Sequence, residues 1–224
     1  MLSRVNDLNG LRSATISVAT LEALQADVIA QVAGSFIQRY PTTRFEIHSL
    51  SADQIVPSVA NGDAMLGLGF NIDLEPNVQD ICAVPFGLGV VVGPDHPLAN
   101  KSALRLADCA GHAVALPART LNLRWIIDRM LGYMGVPLHP VAESNSIDLL
   151  KSLVTSANVA TFLTRADVDF DRVKGNLLFV PLVDHRGEAQ TLRLIQRKGV
   201  PLPPAAGYFA EDLGTFIRSM SDSV

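Results

Sequence analysis

A regular succession of patterns between Ala14 and Phe70 limits most strongly what this chain can fold into. Ala14-Thr15-Ile16-Ser17-Val18-Ala19 alternates apolar and polar residues, the period of a strand. Thr20 then stands where a helix N-cap belongs. Leu24, Val28, Val32 and Phe36, flanked by Ile29, Ala33 and Ile37, recur at helical spacing up to Tyr40. Pro41 stops that helix, and Phe45 and Ile47 alternate with Arg44, Glu46 and His48 in a second strand. Ser51 is placed to cap a second helix carrying Ile55, Val56 and Val59. Asn61-Gly62 ends it, and Met65 to Phe70 read as a third strand. The order βαβαβ predicts parallel strands joined by right-handed crossovers. Ligands of such sheets bind beyond the carboxyl ends of the strands, at the amino ends of the helices. Thr20, Ser51 and Phe70-Asn71 are therefore expected around one cleft. The glycines of Gly67-Leu68-Gly69 are expected to let a helix or a ligand approach the third strand.

Beyond Phe70 the apolar run from Ile81 to Gly93 is long for one strand. Its interruption at Pro85-Phe86-Gly87 suits a crossing between two lobes. Pro94-Asp95-His96-Pro97 is turn chemistry, and Ala113 to Leu116 read as a short buried strand. Thr120 or Asn122 can cap the next helix, whose apolar face is expected at Trp125, Ile126, Met130 and Leu131, with Arg124, Asp128 and Arg129 outward. Val136 to Ala142 read as a strand, and Ser144 or Ser146 caps a helix through Ala157. Val159 to Thr164 and Leu177 to Val183 read as strands, as does Thr191 to Gln196. A last helix repeats Ala206, Phe209, Leu213, Phe216, Ile217 and Met220 at helical spacing and is expected to return to the first lobe.

Composition narrows the function. A net charge of −4, with its 18 basic residues scattered, argues against nucleic-acid binding by this chain alone. No stretch approaches 18 uninterrupted apolar residues, so no membrane span is expected. Met1 to Arg12 lack the apolar core of a signal peptide, which points to the cytoplasm. Cys82 and Cys109, the only cysteines, are expected to be buried or incidental thiols. The five histidines show no metal-ligand spacing, and no metal or cofactor is expected. There is no nucleophile elbow, phosphate loop or dinucleotide fingerprint, so an enzyme is not the favoured reading.

The stretches "FIQRYPTTRFEI", "LSADQIVPSVANGDAMLGLGF", "VVVGPDHPLA" and "ESNSIDLLKSLVTSANVATFL" resemble the effector-binding domain of LysR-type transcriptional regulators. The likeness runs from about Leu11 to Met220. It implies an α/β, two-lobed fold of the type II periplasmic-binding-protein kind, with two Rossmann-like lobes joined by two crossing strands. Lobe I is expected at 11–86 plus 188–224 and lobe II at 87–187, with 1–10 as the tail of a linker helix. The family's DNA-binding winged helix-turn-helix is not in this chain, so DNA would be reached only through that missing domain. A solute-binding protein of an uptake system shares the fold and is the alternative.

The resemblance and the topology together give a site. Thr20, Leu21, Ser51, Phe70 and Asn71 are expected on lobe I, and Arg119, Asn122, Ser144, Asn145 and Phe162 on lobe II, around a small, anionic effector held between the lobes. The amide-rich helix starts favour a carboxylate. Simple N-capping is the plain alternative for each hydroxyl taken alone. Relatives of this kind pair their first helix with the helix of lobe II across a two-fold axis. A homodimer is thus expected, a tetramer in the full-length protein, and a charge at Val32 or Leu150 is expected to break it.

Overall fold

The computed structural model describes residues 14–135, 138, 140–184 and 189–221. The expected linker helix at Met1 to Gly10, the histidines His139 and His185, and the lobe boundary at Gly187 and Glu188 lie outside the described residues. The chain divides into two compact units. The first runs to Val84 and resumes at Thr191; the second runs from Pro85 to Gln190.

Unit one begins with the anticipated βαβαβ run. Strand β1 (Thr15–Thr20) lies parallel to β2 (Arg44–Ser49) and to β3 (Leu66–Phe70), with Thr20 level with Ser49 and Leu68. Strand β9 (Ala189–Arg197) joins antiparallel to β3, giving the order β2-β1-β3-β9, and the start of β4 (Val78–Val92) follows. β1 and β3 are buried on both faces, as central parallel strands require. Helix α2 (Ala52–Asn61) puts Ile55, Val56 and Val59 into a cluster with Ala19, Ile72 and Ile195. It sits against bare backbone: a Cβ on Gly67 would meet Ile55 Cγ2 at 2.9 Å and Ile195 Cγ1 at 2.7 Å. The glycines therefore serve helix packing. Helices α1 (Ala30–Arg39) and α6 (Pro204–Ser221) meet through Phe36 and Phe209, whose rings cross edge to face at 5.6 Å, and through an Arg39–Asp212 ion pair.

Unit two has a second sheet of its own. β5 (Val114–Pro117) pairs parallel with β6 (Pro140–Ser144), and a parallel bridge from Val114 to Ala160 sets it beside β7 (Thr161–Thr164). The latter part of β4 runs antiparallel to β7 and to β8 (Leu178–Pro181). Gly89 in β4 is there because Phe179 fills the space of its side chain, and a Cβ would lie 2.4 Å from that ring. Thus Pro85-Phe86-Gly87 does not interrupt β4, a single strand of 15 residues in which one unit gives way to the other. Helices α3 (Asn122–Met134), α4 (Ile147–Ala157) and the short α5 (Asp169–Val173) complete the unit.

Three helix faces differ from the sequence expectation. In α3, Trp125 is 61% exposed whereas Arg124 is only 5% exposed. Leu123, Ile126, Ile127 and Met130 make the buried stripe, with the i, i+3, i+4, i+7 spacing that the bulk of Trp125 masked in the sequence. In α1, Val32 is buried and Ile37 is the exposed apolar residue, at 44%. In α4, Leu150 is fully buried and Leu149 is exposed at 50%. A charge at Val32 or Leu150 would therefore disrupt a core, so the outward positions are Ile37 and Leu149. Lys151 is also buried in α4, its ammonium 3.2 Å from both Asp148 and Asp171. Among the described residues no helix is long and apolar enough to cross a membrane.

Candidate functional site

The parallel registers bring the candidate residues to one edge within each unit. In unit one that edge follows β1, β2 and β3. Thr20 ends β1 and is fully buried; its carbonyl accepts the Leu50 N–H at 2.9 Å, which ties the first and second strand ends together. Among the described residues its hydroxyl reaches only the Leu21 carbonyl, at 3.5 Å, the outer limit of a hydrogen bond. Thr20 does not cap the first helix. The chain turns through Leu21 and Glu22, whose carbonyls take the N–H groups of Leu24 and Gln25 at 3.1 Å. The helix then opens at Ala23 and passes through a π-helical turn, Gln25–Ile29, before α1. The extra residue of that wider turn lets Asp27, Val28 and Ile29 all point inward.

Ser51 does cap α2. Its N–H donates to Gln54 Oε1 at 3.3 Å and its hydroxyl to Asp53 Oδ1 at 2.5 Å and Gln54 Oε1 at 2.9 Å. At the far end Gly62 takes the left-handed conformation, φ +86°. Phe70 is buried at the end of β3. Asn71 follows with φ +49°, unusual for a residue with a side chain. Its N–H donates to the Thr191 carbonyl at 2.9 Å, and its Oδ1 accepts the Thr191 N–H at 2.8 Å. Asn71 thereby locks β3 to β9.

In unit two the same edge carries the ends of β5 and β6, where Pro117 and Ser144 are in register. The Ala118 N–H donates to the Ser144 carbonyl at 2.7 Å, joining the loops that follow the two strands. Arg119 and Asn122 are exposed on the first loop and at the start of α3, and Asn145 is exposed on the second. Neither Thr120 nor Asn122 caps α3, whose N-cap is Leu121 with no side-chain bond. Of the two serines offered for α4, Ser146 is the cap, accepting the Leu149 N–H at 3.3 Å, while Ser144 Oγ accepts the Ser146 N–H at 3.0 Å. Phe162 is fully buried within β7, where it acts as core.

The sequence missed the group behind these loops. The Arg124 guanidinium donates from Nη1 to the Pro117 carbonyl at 3.0 Å, and from Nε to Asp128 Oδ1 at 2.8 Å. Nη1 also lies 3.1 Å from Glu143 Oε1. Burial alone would lower the pKa of Arg124; the bonds to Asp128 and Glu143 outweigh it and raise it. The i, i+4 spacing of Arg124 and Asp128 was the available signal. Among the described residues no three His, Cys, Asp or Glu side chains converge in a way that would hold a metal ion.

Two Rossmann-like units, each with its strand ends and helix starts along one edge, define a ligand-binding α/β protein of the type II periplasmic-binding-protein class. Residues 9–216 match the family model described as the LysR substrate binding domain, and the chain belongs to that family. A probable RuBisCO transcriptional regulator of Trichormus variabilis (strain ATCC 29413 / PCC 7937) is 23% identical over 93% of this chain and 64% of its own length. An uncharacterized HTH-type transcriptional regulator of Bacillus subtilis (strain 168) is 29% identical over 51% of this chain and 39% of its own length. The chain thus spans less than two thirds of these relatives. Two solved structures carry the fold. One is the effector binding domain of QuiR in complex with shikimate, with TM-score 0.65, 16% identity, and coverage of 92% of this chain and 98% of that one. The other is the CcmR regulatory domain of Synechocystis PCC6803 in complex with 2-PG, with TM-score 0.68, 18% identity, and coverage of 92% and 99%.

Proposed function

We propose that this chain is the effector-binding and oligomerisation part of a LysR-type transcriptional regulator, and that its effector is a small organic acid. The effector is bound and released unchanged, without catalysis, and biases a winged helix-turn-helix domain that lies outside this chain. The observation that carries the anionic class is the shared edge in each unit. There the ends of parallel strands meet the amino ends of α2, α3 and α4, whose first-turn N–H groups and dipoles favour negative charge. Arg119, exposed on the loop after β5, supplies a counter-charge. Membership of the family supports the regulatory role. The protein works in the cytoplasm as a homodimer, α1 of one copy against α4 of the other, and as a tetramer in the full-length regulator. Ile37 and Leu149 are the apolar residues those faces expose.

A thermal-shift screen of small mono- and dicarboxylates tests the effector class. An effector at 100 times its Kd adds about 2.7 kcal/mol, or about 5–10 °C in Tm for a domain of this size. A protein that ignores every organic acid at millimolar concentration but is stabilised by neutral sugars or amines overturns the anionic reading.

A further inference from the structure

Arg124 joins three pieces of unit two that the sequence keeps apart. The last residue of β5, Pro117, offers its carbonyl at 3.0 Å; β6 offers Glu143, the residue before Ser144, at 3.1 Å; α3 itself offers Asp128 at 2.8 Å. The guanidinium is buried, with its side chain 6% exposed, while both carboxylates are about two-fifths exposed, so the cation is largely shielded from solvent and its two partners are not. Above it the Ala118 N–H crosses to the Ser144 carbonyl at 2.7 Å, and the Leu121 N–H returns to the Ala118 carbonyl at 3.0 Å. The loop bearing Arg119 and Asn122 and the loop bearing Ser144 and Asn145 are therefore tied from behind by one side chain.

We propose that Arg124 is a positioning residue that fixes the separation and orientation of these two loops, and that the planar fork of arginine is required for it. The functional meaning of the loops rests on the effector reading above; the clamp itself does not. Lysine carries the same charge but is a point donor on a flexible stem. It can meet one carboxylate without also spanning to a backbone carbonyl and a second strand. Arg119, by contrast, is the arginine free to meet an anion, so the two arginines divide the labour of charge and geometry.

The test is amide hydrogen exchange, resolved by residue, on the ligand-free chain with Arg124→Lys, Arg124→Gln and Glu143→Gln. Ala118 is the reporter, since its N–H bonds across the two loops. Ala115, whose N–H bonds to the Ala160 carbonyl at 2.8 Å in the same unit, is the control. In Arg124→Lys the exchange of Ala118, Leu121 and Ser146 is expected to rise tenfold or more, with Ala115 unchanged and Tm restored relative to Arg124→Gln. Glu143→Gln is expected to loosen Ala118 and Ser146 but not Leu121, and it serves if Arg124→Gln does not fold. Unchanged exchange at Ala118 in Arg124→Lys overturns the proposal, as does equal loosening of Ala115, which marks a general structural role. Because no effector is present, loss of the clamp is distinguishable from failure of the effector reading.

Discussion

Asn71 performs two tasks that substitution can separate. It holds a left-handed backbone, φ +49°, and its Oδ1 accepts the N–H of Thr191, a residue 120 positions further along the chain. Asn71→Ala leaves that N–H unmatched in a partly buried position, a cost of about 1–3 kcal/mol. It also forces alanine into the left-handed region, about 1–2 kcal/mol more. The sum is about 2–5 kcal/mol. Asn71→Gly keeps only the first term, because glycine adopts that conformation freely. Asn71→Asp keeps both the acceptor and the tolerance of the backbone, and its stability should stay within about 1 kcal/mol of the parent. It nevertheless replaces the Nδ2 donor with a negative charge, so affinity for an anionic effector should fall at least tenfold. Urea unfolding followed by far-UV circular dichroism gives the stabilities, read as midpoints at constant slope. Alanine and glycine variants of equal stability would refute the backbone argument. An aspartate variant as unstable as alanine would refute the hydrogen-bond argument.

Ile37→Glu and Leu149→Glu should each give a monomer by light scattering with Tm little changed, whereas Val32→Glu and Leu150→Glu should fail to fold, because they bury an unpaired charge. A monomeric parent chain at high micromolar concentration, or dimers in both outward variants, would contradict the paired-helix assembly. Burial, with Asp108 and Asp184 nearby, pushes the Cys109 thiol up to about 12 from an ordinary value of 9.0. The folded chain therefore keeps a proton that the unfolded chain releases above about pH 9. Its contribution to stability is complete below that pH and is lost towards pH 12 at up to about 1.4 kcal/mol per unit. Unfolding melts of Cys109→Ala should show a shallower alkaline decline than the parent; identical slopes would show that this thiol is not held neutral.

Unit one was legible because its signals were local and agreed with one another. The alternation in β1 and β2, the Ser51 capping box and Gly62 at φ +86° each report a neighbour within a few residues. The paired glycines of β3 announced a close approach, and only the packing of Ile55 could say that a helix makes it. What the sequence hid depends on partners distant along the chain. Arg124 reads as a solvated residue until Glu143 and the Pro117 carbonyl are brought to it, and that same rotation of α3 turns Trp125 outward. Thr20 read as a cap because the turn through Leu21 and Glu22, which sets the helix start back to Ala23, has no sequence signature of its own. Asn71 read as a ligand contact, but half of its chemistry is committed to Thr191. The sequence thus placed its candidates at strand ends and helix starts, while the bonds that already commit Asn71 and Arg124 depend on tertiary contacts.

The central claim is that the strand-end and helix-start loops described in each unit are where an organic anion binds. Amide chemical-shift mapping with the carboxylate that most raises Tm tests it directly. The account predicts shifts concentrated at Thr20 and Leu21, Ser51 to Asp53, and Asn71 in unit one, and at Arg119 to Leu123 and Ser144 to Ile147 in unit two, with those of the Arg119 loop weakened by Arg119→Met. Shifts confined instead to the surface cavity of about 400 Å³ lined by His48, Pro57 and Asn61, with both sets of loops silent, would contradict it.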